Sequence, residues 1–229
     1  MLILPEFRPS HLLLLFAFFI FNGNGISSRQ SNDDSRTFLF FGDSITAGYG
    51  LTPEQAFPAL IQKKFQEEKI PVNVINGGLS GETTAGGLRR IDWMLKQKVD
   101  VLILELGAND GLRGIPLNDT GKNLQSIIDR VKKKYPNIIV IIAGMQVPPN
   151  LGGDYAKAFM EIFPALAAKN DAMLIPFILE GVGGIPELNL SDRIHPNRAG
   201  HEIIAHKIWG TMNKAWLMLK KGQKIEGRK

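Results

Sequence analysis

Cysteine is absent from all 229 residues. That excludes thiol nucleophiles, disulfides, cysteine-rich metal sites and lipid attachment through an N-terminal cysteine. Phosphate loops are missing too. Gly42-Asp43-Ser44 has neither the spacing nor the lysine of one, and no Gly-x-Gly-x-x-Gly follows a strand. Lys and Arg exceed Asp and Glu by 27 to 22, with a pI near 9.4. Aromatics are nevertheless not interleaved with basic patches, so the charge does not read as a nucleic-acid surface. Histidine is scarce at four residues, which narrows any search for a catalytic base.

Long apolar runs are also lacking. The longest, Leu12 to Phe21, has ten residues, against the roughly 20 that a membrane span needs. Arg8 precedes it and small polar residues follow from Asn22 to Ser28, so residues 1–27 read as a secretory signal peptide. Residues 28–36 then form a mobile polar leader, 37–219 a single domain and 220–229 a basic tail. That tail holds five basic side chains against Glu226. A solvated tail is its plainer reading, and weak contact with an anionic membrane surface its functional one.

What is present is an alternation. Thr37 to Phe41 is a buried-strand pattern, followed by a helical pattern over Glu54–Phe65. Strand patterns at 71–75, 99–106, 138–142 and 172–175 alternate with helical ones at 83–96, 118–134 and 154–168. A last helix runs from Pro196 to about Leu219. The β-branched run Ile138-Ile-Val-Ile-Ile142 requires cover on both faces. The expected class is therefore α/β: five parallel strands, flavodoxin-like, in a three-layer α/β/α arrangement. Right-handed crossovers bring the loops at 42–50, 76–82, 107–111, 144–153 and 177–196 to one edge.

Chemistry gathers on those loops. Ser44 follows the first strand, where a hydroxyl faces a ligand crevice, although most such serines are caps or turn residues. The last glycine of a Gly-x-Ser-x-Gly elbow is missing, which leaves a serine opening a short helical turn. A serine nucleophile needs a base and a group to orient it. His11 lies in the signal-peptide stretch, and His201 and His206 fall within the last helix as surface or packing residues. His195 stands apart on a loop fixed by Pro196, and Asp192 is three residues earlier, within reach of Nδ1 through one tight turn. Asp192 reads equally as a helix cap, and His195 as a surface residue. Donors for an oxyanion are the Ser44 amide, the Gly78 amide and the Asn109 side chain. A turn glycine and an Asx turn are the plainer readings of the last two. Leu79, Leu112, Ile115, Pro148, Phe177 and Ile185 either line an acyl groove or anchor their loops. Glu105 interrupts a buried strand and needs a partner.

Four blocks taken together resemble the SGNH hydrolases, the GDSL-type esterases and lipases: Gly42-Asp43-Ser44-Ile45, Asn76-Gly-Gly78-Leu-Ser-Gly81, Gly107-Ala-Asn109-Asp110 and Asp192-Arg-Ile-His195-Pro196. Each is weak alone. Four in order, between about Thr37 and Trp216, are specific. Glu105 to Asp110 and the Met145–Asn150 loop are most similar to the TesA-type subgroup of periplasmic arylesterases, acyl-CoA thioesterases and lysophospholipases. The resemblance implies the SGNH hydrolase fold and a Ser44-His195-Asp192 triad. It also implies an oxyanion hole of Ser44, Gly78 and Asn109, and ester hydrolysis without cofactor or metal. The expected partner is a small ester or lipid-like substrate, in a monomeric periplasmic or secreted protein. Two rivals carry over. One is a carbohydrate or peptidoglycan O-acetyl esterase on the same fold. The other is a non-enzymatic exported binding protein.

Overall fold

A computed structural model describes residues 35–226. The signal peptide expected over 1–27 and the final residues 227–229 lie outside them. The five strands are β1 (Arg36–Gly42), β2 (Val72–Asn76), β3 (Val101–Glu105), β4 (Ile139–Ala143) and β5 (Met173–Ile175). They form one all-parallel sheet in the order β2-β1-β3-β4-β5. The chain therefore steps one way from β1 to β2, then reverses and runs across the rest of the sheet. Right-handed crossovers consequently place α2 (Phe57–Glu67) on one face and α3 (Thr84–Met94), α5 (Leu117–Lys134) and α6 (Gly153–Lys169) on the other. The C-terminal α7 (Arg198–Glu226) packs beside α2, completing three layers.

β1 is apolar on both sides because both sides are covered. Phe38 and Phe40 point toward α2, where they meet Phe65 and Phe57 edge-on at 5.2 and 5.5 Å between ring centroids. Phe41 points the other way, under the Arg90 guanidinium of α3 at 4.4 Å. All three are fully buried, each contributing about 1.5–3 kcal/mol by removal from water. This anchoring fixes where β1 ends, and with it the position of the residues that follow.

Several boundaries differ from expectation for local reasons. The helix expected from Glu54 is interrupted. Pro53–Gln55 forms a separate 3-10 turn closed by a Thr52–Gln55 capping box, and α2 restarts at Phe57 with Pro58 in its first turn. The leader expected to Ser35 and Arg36 gives way one residue early. Arg36 N donates to Pro71 O at 3.0 Å and its guanidinium meets Asp100 at 3.3 Å, so Arg36 joins the sheet. The 107–111 loop contains a one-turn helix, α4 (Ala108–Leu112), entered through Gly107 at φ 125°. Finally, α7 continues to Glu226, so most of the basic tail is helical.

Candidate active site

In-register strand ends build the floor of the site. Gly42 of β1 lies opposite Glu105 of β3, and Phe40 opposite Asn76 of β2. The chain leaves β1 at Asp43 and turns at once into α1 (Ser44–Ala47). The Asp43 carboxylate caps this turn by accepting from Ile45 N at 3.0 Å. Ser44 is thus the first helical residue, whose amide has no acceptor within the helix. It is 8% exposed. Gly42 admits no side chain, since a Cβ would stand 2.1 Å from Thr46 Oγ1 and 2.4 Å from Glu105 Oε2.

The second half of the site comes from the far end of the chain. Leu190 N donates to His195 O at 2.8 Å and Arg193 N to Leu190 O at 2.9 Å, closing a tight loop. Arg193 takes the left-handed conformation, φ 60°, to make the turn. Within it, Asp192 Oδ1 accepts from Ile194 N at 2.9 Å and His195 N at 3.0 Å. Asp192 Oδ2 lies 2.7 Å from His195 Nδ1, and His195 Nε2 lies 2.9 Å from Ser44 Oγ. With its proton on Nδ1, the imidazole donates to the carboxylate and accepts from the serine. Desolvation works to raise the Asp192 pKa, but the two amides and the imidazole outweigh it and hold the carboxyl down at about 2.

Asn109, the second residue of α4, donates from Nδ2 to Asp43 Oδ2 at 3.2 Å, which leaves its other amide hydrogen for another acceptor. The two glycines of the 76–78 loop separate clearly. Gly77 N extends the sheet, donating to Phe40 O at 2.7 Å. Gly78 N donates to Asn76 Oδ1 at 3.0 Å, so service as an oxyanion donor would require displacing the Asn76 side chain. The lack of a Cβ at Gly78 serves packing. A Cβ would lie 2.2 Å from Ala47 N, so the glycine lets this loop press against α1 itself. From below, Arg90 pairs with Glu82 and donates to Gly77 O at 2.8 Å.

Sequence reasoning did not single out Asp43, Thr46 or Tyr49. Asp43 is fully buried, and burial raises its pKa to about 6 despite the donors Ile45 N and Asn109. The buried partner of Glu105 is now clear: Oε2 accepts from Thr46 Oγ1 at 2.6 Å and from Asp43 N at 3.3 Å. Burial, then the neighbouring Asp43 charge, pushes the Glu105 carboxyl well above its ordinary range. The signal available beforehand was an acid at the end of each of two adjacent apolar strands. Tyr49 lies with its ring 4.5 Å from that of His195.

Of the candidate groove residues, Leu79 and Leu112 are exposed on the loops that carry Gly78 and Asn109. Arg113 joins those loops by donating to Gly81 O at 3.0 Å. Ile185 and Pro148 are also exposed. Ile115 is half-buried, with its carbonyl accepting from Tyr155 Oη at 3.3 Å. Phe177 packs against the core and acts as a loop anchor. His201 is a packing residue: it is buried, its Nδ1 accepts from Phe57 N at 3.0 Å, and burial lowers its pKa to about 4. Among the described residues no group of His, Asp and Glu has the clustering of a metal site. A separate cleft of about 720 Å³ opens at the opposite end of the sheet, between Arg36, Lys98, Tyr135 and Leu219. It contains neither Ser44 nor His195, so the reactive geometry rather than cavity size locates the site.

Known proteins share this sequence and fold over most of the chain. The model of the GDSL-like Lipase/Acylhydrolase family matches residues 40–203. An arylesterase of Vibrio mimicus is 39% identical over 75% of this chain and 85% of its own length. Thioesterase 1/protease 1/lysophospholipase L1 of Escherichia coli K12 is 39% identical over 74% of this chain and 79% of that protein. The crystal structure of TesA superposes with a TM-score of 0.75 at 38% identity, covering 79% of this chain and 99% of that one. By sequence over most of its length, and by a five-stranded parallel sheet shared with its relatives, the chain belongs to the GDSL-like lipase/acylhydrolase family.

Proposed function

We propose that the chain is a serine ester hydrolase acting on aryl and short-to-medium acyl esters, and by the same chemistry on thioesters and lysophospholipids. The observation that carries this reading is the relay Asp192 Oδ2–His195 Nδ1 and His195 Nε2–Ser44 Oγ, at 2.7 and 2.9 Å, assembled from opposite ends of the domain. In the first step Ser44 Oγ attacks the carbonyl carbon and its proton passes to His195 Nε2. The carbonyl oxygen, now negative, is held by the amides of Ser44 and Gly78 and by Asn109 Nδ2. His195 then gives its proton to the leaving alcohol or thiol as the tetrahedral carbon collapses to the acyl-enzyme. A water molecule, deprotonated by the same histidine, releases the acid and restores Ser44.

Exposed Leu79 and Leu112 beside the oxyanion donors favour an acyl chain over an acetylated sugar. The apolar run Leu12 to Phe21, with Arg8 before it, supports export, with a periplasmic or secreted site of action. The test is labelling with a fluorophosphonate followed by mass mapping, alongside p-nitrophenyl butyrate hydrolysis. One adduct, on Ser44, is expected, and Ser44→Ala should lose both adduct and turnover. Full turnover in Ser44→Ala, or an adduct mapped elsewhere, would remove the proposal.

A further inference from the structure

We infer that Tyr49 is a specificity residue forming the leaving-group subsite, a face that takes an aromatic alcohol or phenol. The inference rests on the serine-esterase reading above. Its starting point is a requirement of that chemistry: His195 Nε2 must reach the leaving oxygen to protonate it, so the leaving group passes within hydrogen-bond distance of this nitrogen. Whatever is bonded to that oxygen must then lie beside the imidazole. The Tyr49 ring is there, 4.5 Å from the imidazole between centroids and inclined to it by 40°. Tyr49 is 49% exposed, so much of its surface is open to an incoming group.

The ring is held by the same turn that holds the nucleophile. Tyr49 N donates to Ser44 O at 3.0 Å, and Gly48 N donates to the same oxygen at 3.1 Å. Gly48 and Gly50 flank it in the left-handed region, at φ 76° and 77°. On one side a Cβ at Gly48 would stand 2.6 Å from Ala56 Cβ. On the other, a Cβ at Gly50 would stand 2.7 Å from Leu190 Cδ1, on the loop whose closure bond runs from Leu190 N to His195 O. The Tyr49 turn is thus clamped to both catalytic halves. An exposed aromatic side chain fixed in this way costs little further ordering when a flat ring docks on it. Offset or edge-on aromatic contacts exceed simple area burial in strength, which supplies a preference for phenyl over a saturated ring of similar size.

The experiment compares phenyl acetate with cyclohexyl acetate in wild type, Tyr49→Phe, Tyr49→Leu and Tyr49→Ala. The two substrates share one acyl-enzyme, so the ratio of their kcat/KM values reports the leaving-group half of the site. That ratio does not depend on how much of a variant folds. Expected is a ratio that falls about three- to tenfold in Tyr49→Ala and Tyr49→Leu and is kept in Tyr49→Phe. A ratio unchanged in all three variants, even with lower absolute rates, would overturn the inference and leave Tyr49 as a residue that only steadies His195. Wild-type protein that hydrolyses neither ester, and takes no fluorophosphonate at Ser44, would instead remove the esterase reading and the inference with it.

Discussion

Two carboxylates belong to this site, one beyond the His195 imidazole and one next to Ser44 in the chain, and the protein treats them in opposite ways. Asp192 sits on the 190–195 loop, open to solvent, and its charge is held by two backbone amides and an imidazole. Asp43 lies on the floor, fully buried, with one backbone amide and the Asn109 side chain as donors and the Glu105 carboxyl packed behind it. The first carboxyl is held at about 2 and the second pushed up to about 6. Each holds one polar side chain that the proposed mechanism uses: Asp192 the imidazole, Asp43 the Asn109 amide. The difference shows how such a site divides its work. The group that the proposed mechanism keeps charged through turnover is placed where water and amides help it. The one that acts as a strut is sunk into the sheet, where burial costs stability but position is fixed by two strands.

The sharpest way to break the comparison is to neutralise the exposed partner. Asp192→Asn keeps the shape of the loop but presents an amide donor to Nδ1, so the imidazole turns its proton toward Ser44. The expected fall in kcat is about 10³–10⁴-fold, with little change in KM. Steady-state kinetics on a p-nitrophenyl ester measures it. A loss below tenfold would mean that water or the loop amides orient His195 without the carboxylate.

The buried partner should matter less to rate and act only through Asn109. Removing that donor with Asn109→Ala is expected to cost about 2.7–4 kcal/mol of transition-state stabilisation, a factor of about 10²–10³ in kcat. Asp43→Ala should lose a smaller share, because the amide remains but its stop is gone. In a double-mutant cycle the two changes should be strongly non-additive, since they remove one interaction. Additive losses in kcat would show that Asp43 acts through α1 rather than through Asn109.

The exposed half of this comparison was legible in the sequence, and most of the buried half was not. Asp192, His195 and Pro196 are close in the chain, so short-range turn rules already bring the first two within reach of each other. The five strands announced themselves because a parallel sheet covered on both faces needs continuous apolar runs, as in Phe38–Phe41 and Ile139–Ile142. Asp43 and Glu105 are 62 residues apart, and only the parallel register of β1 on β3 sets Gly42 against Glu105. No local pattern encodes register between distant strands. The helical turn at Ala108–Leu112 was hidden for a related reason. Its Gly107-Ala-Asn-Asp-Gly sequence has turn composition, and the pull of Asp110 toward Thr84 N at 2.8 Å is a tertiary effect.

The last and smallest effect concerns stability rather than rate, and there the two carboxylates should respond to pH with opposite signs. The folded pKa of Asp43, about 6, stands above its ordinary 3.8. The native state therefore holds its proton more tightly than the unfolded chain. Its contribution is complete below about pH 4 and is lost as pH rises through 6. Asp192 stands below the same ordinary value, at about 2, so its contribution is present above about pH 4 and lost as pH falls toward 2. Urea unfolding of wild type, Asp43→Asn and Asp192→Asn between pH 2.5 and 8 separates the two. Relative to wild type, Asp43→Asn should gain about 2–3 kcal/mol between pH 4 and 7, as the wild type is forced to ionise a buried acid beside Glu105. Asp192→Asn should run parallel to wild type over that range and converge on it only in acid. Parallel curves for Asp43→Asn from pH 4 to 7 would mean that its carboxylate is fully satisfied where it lies, and that burial sets no difference between the two sites.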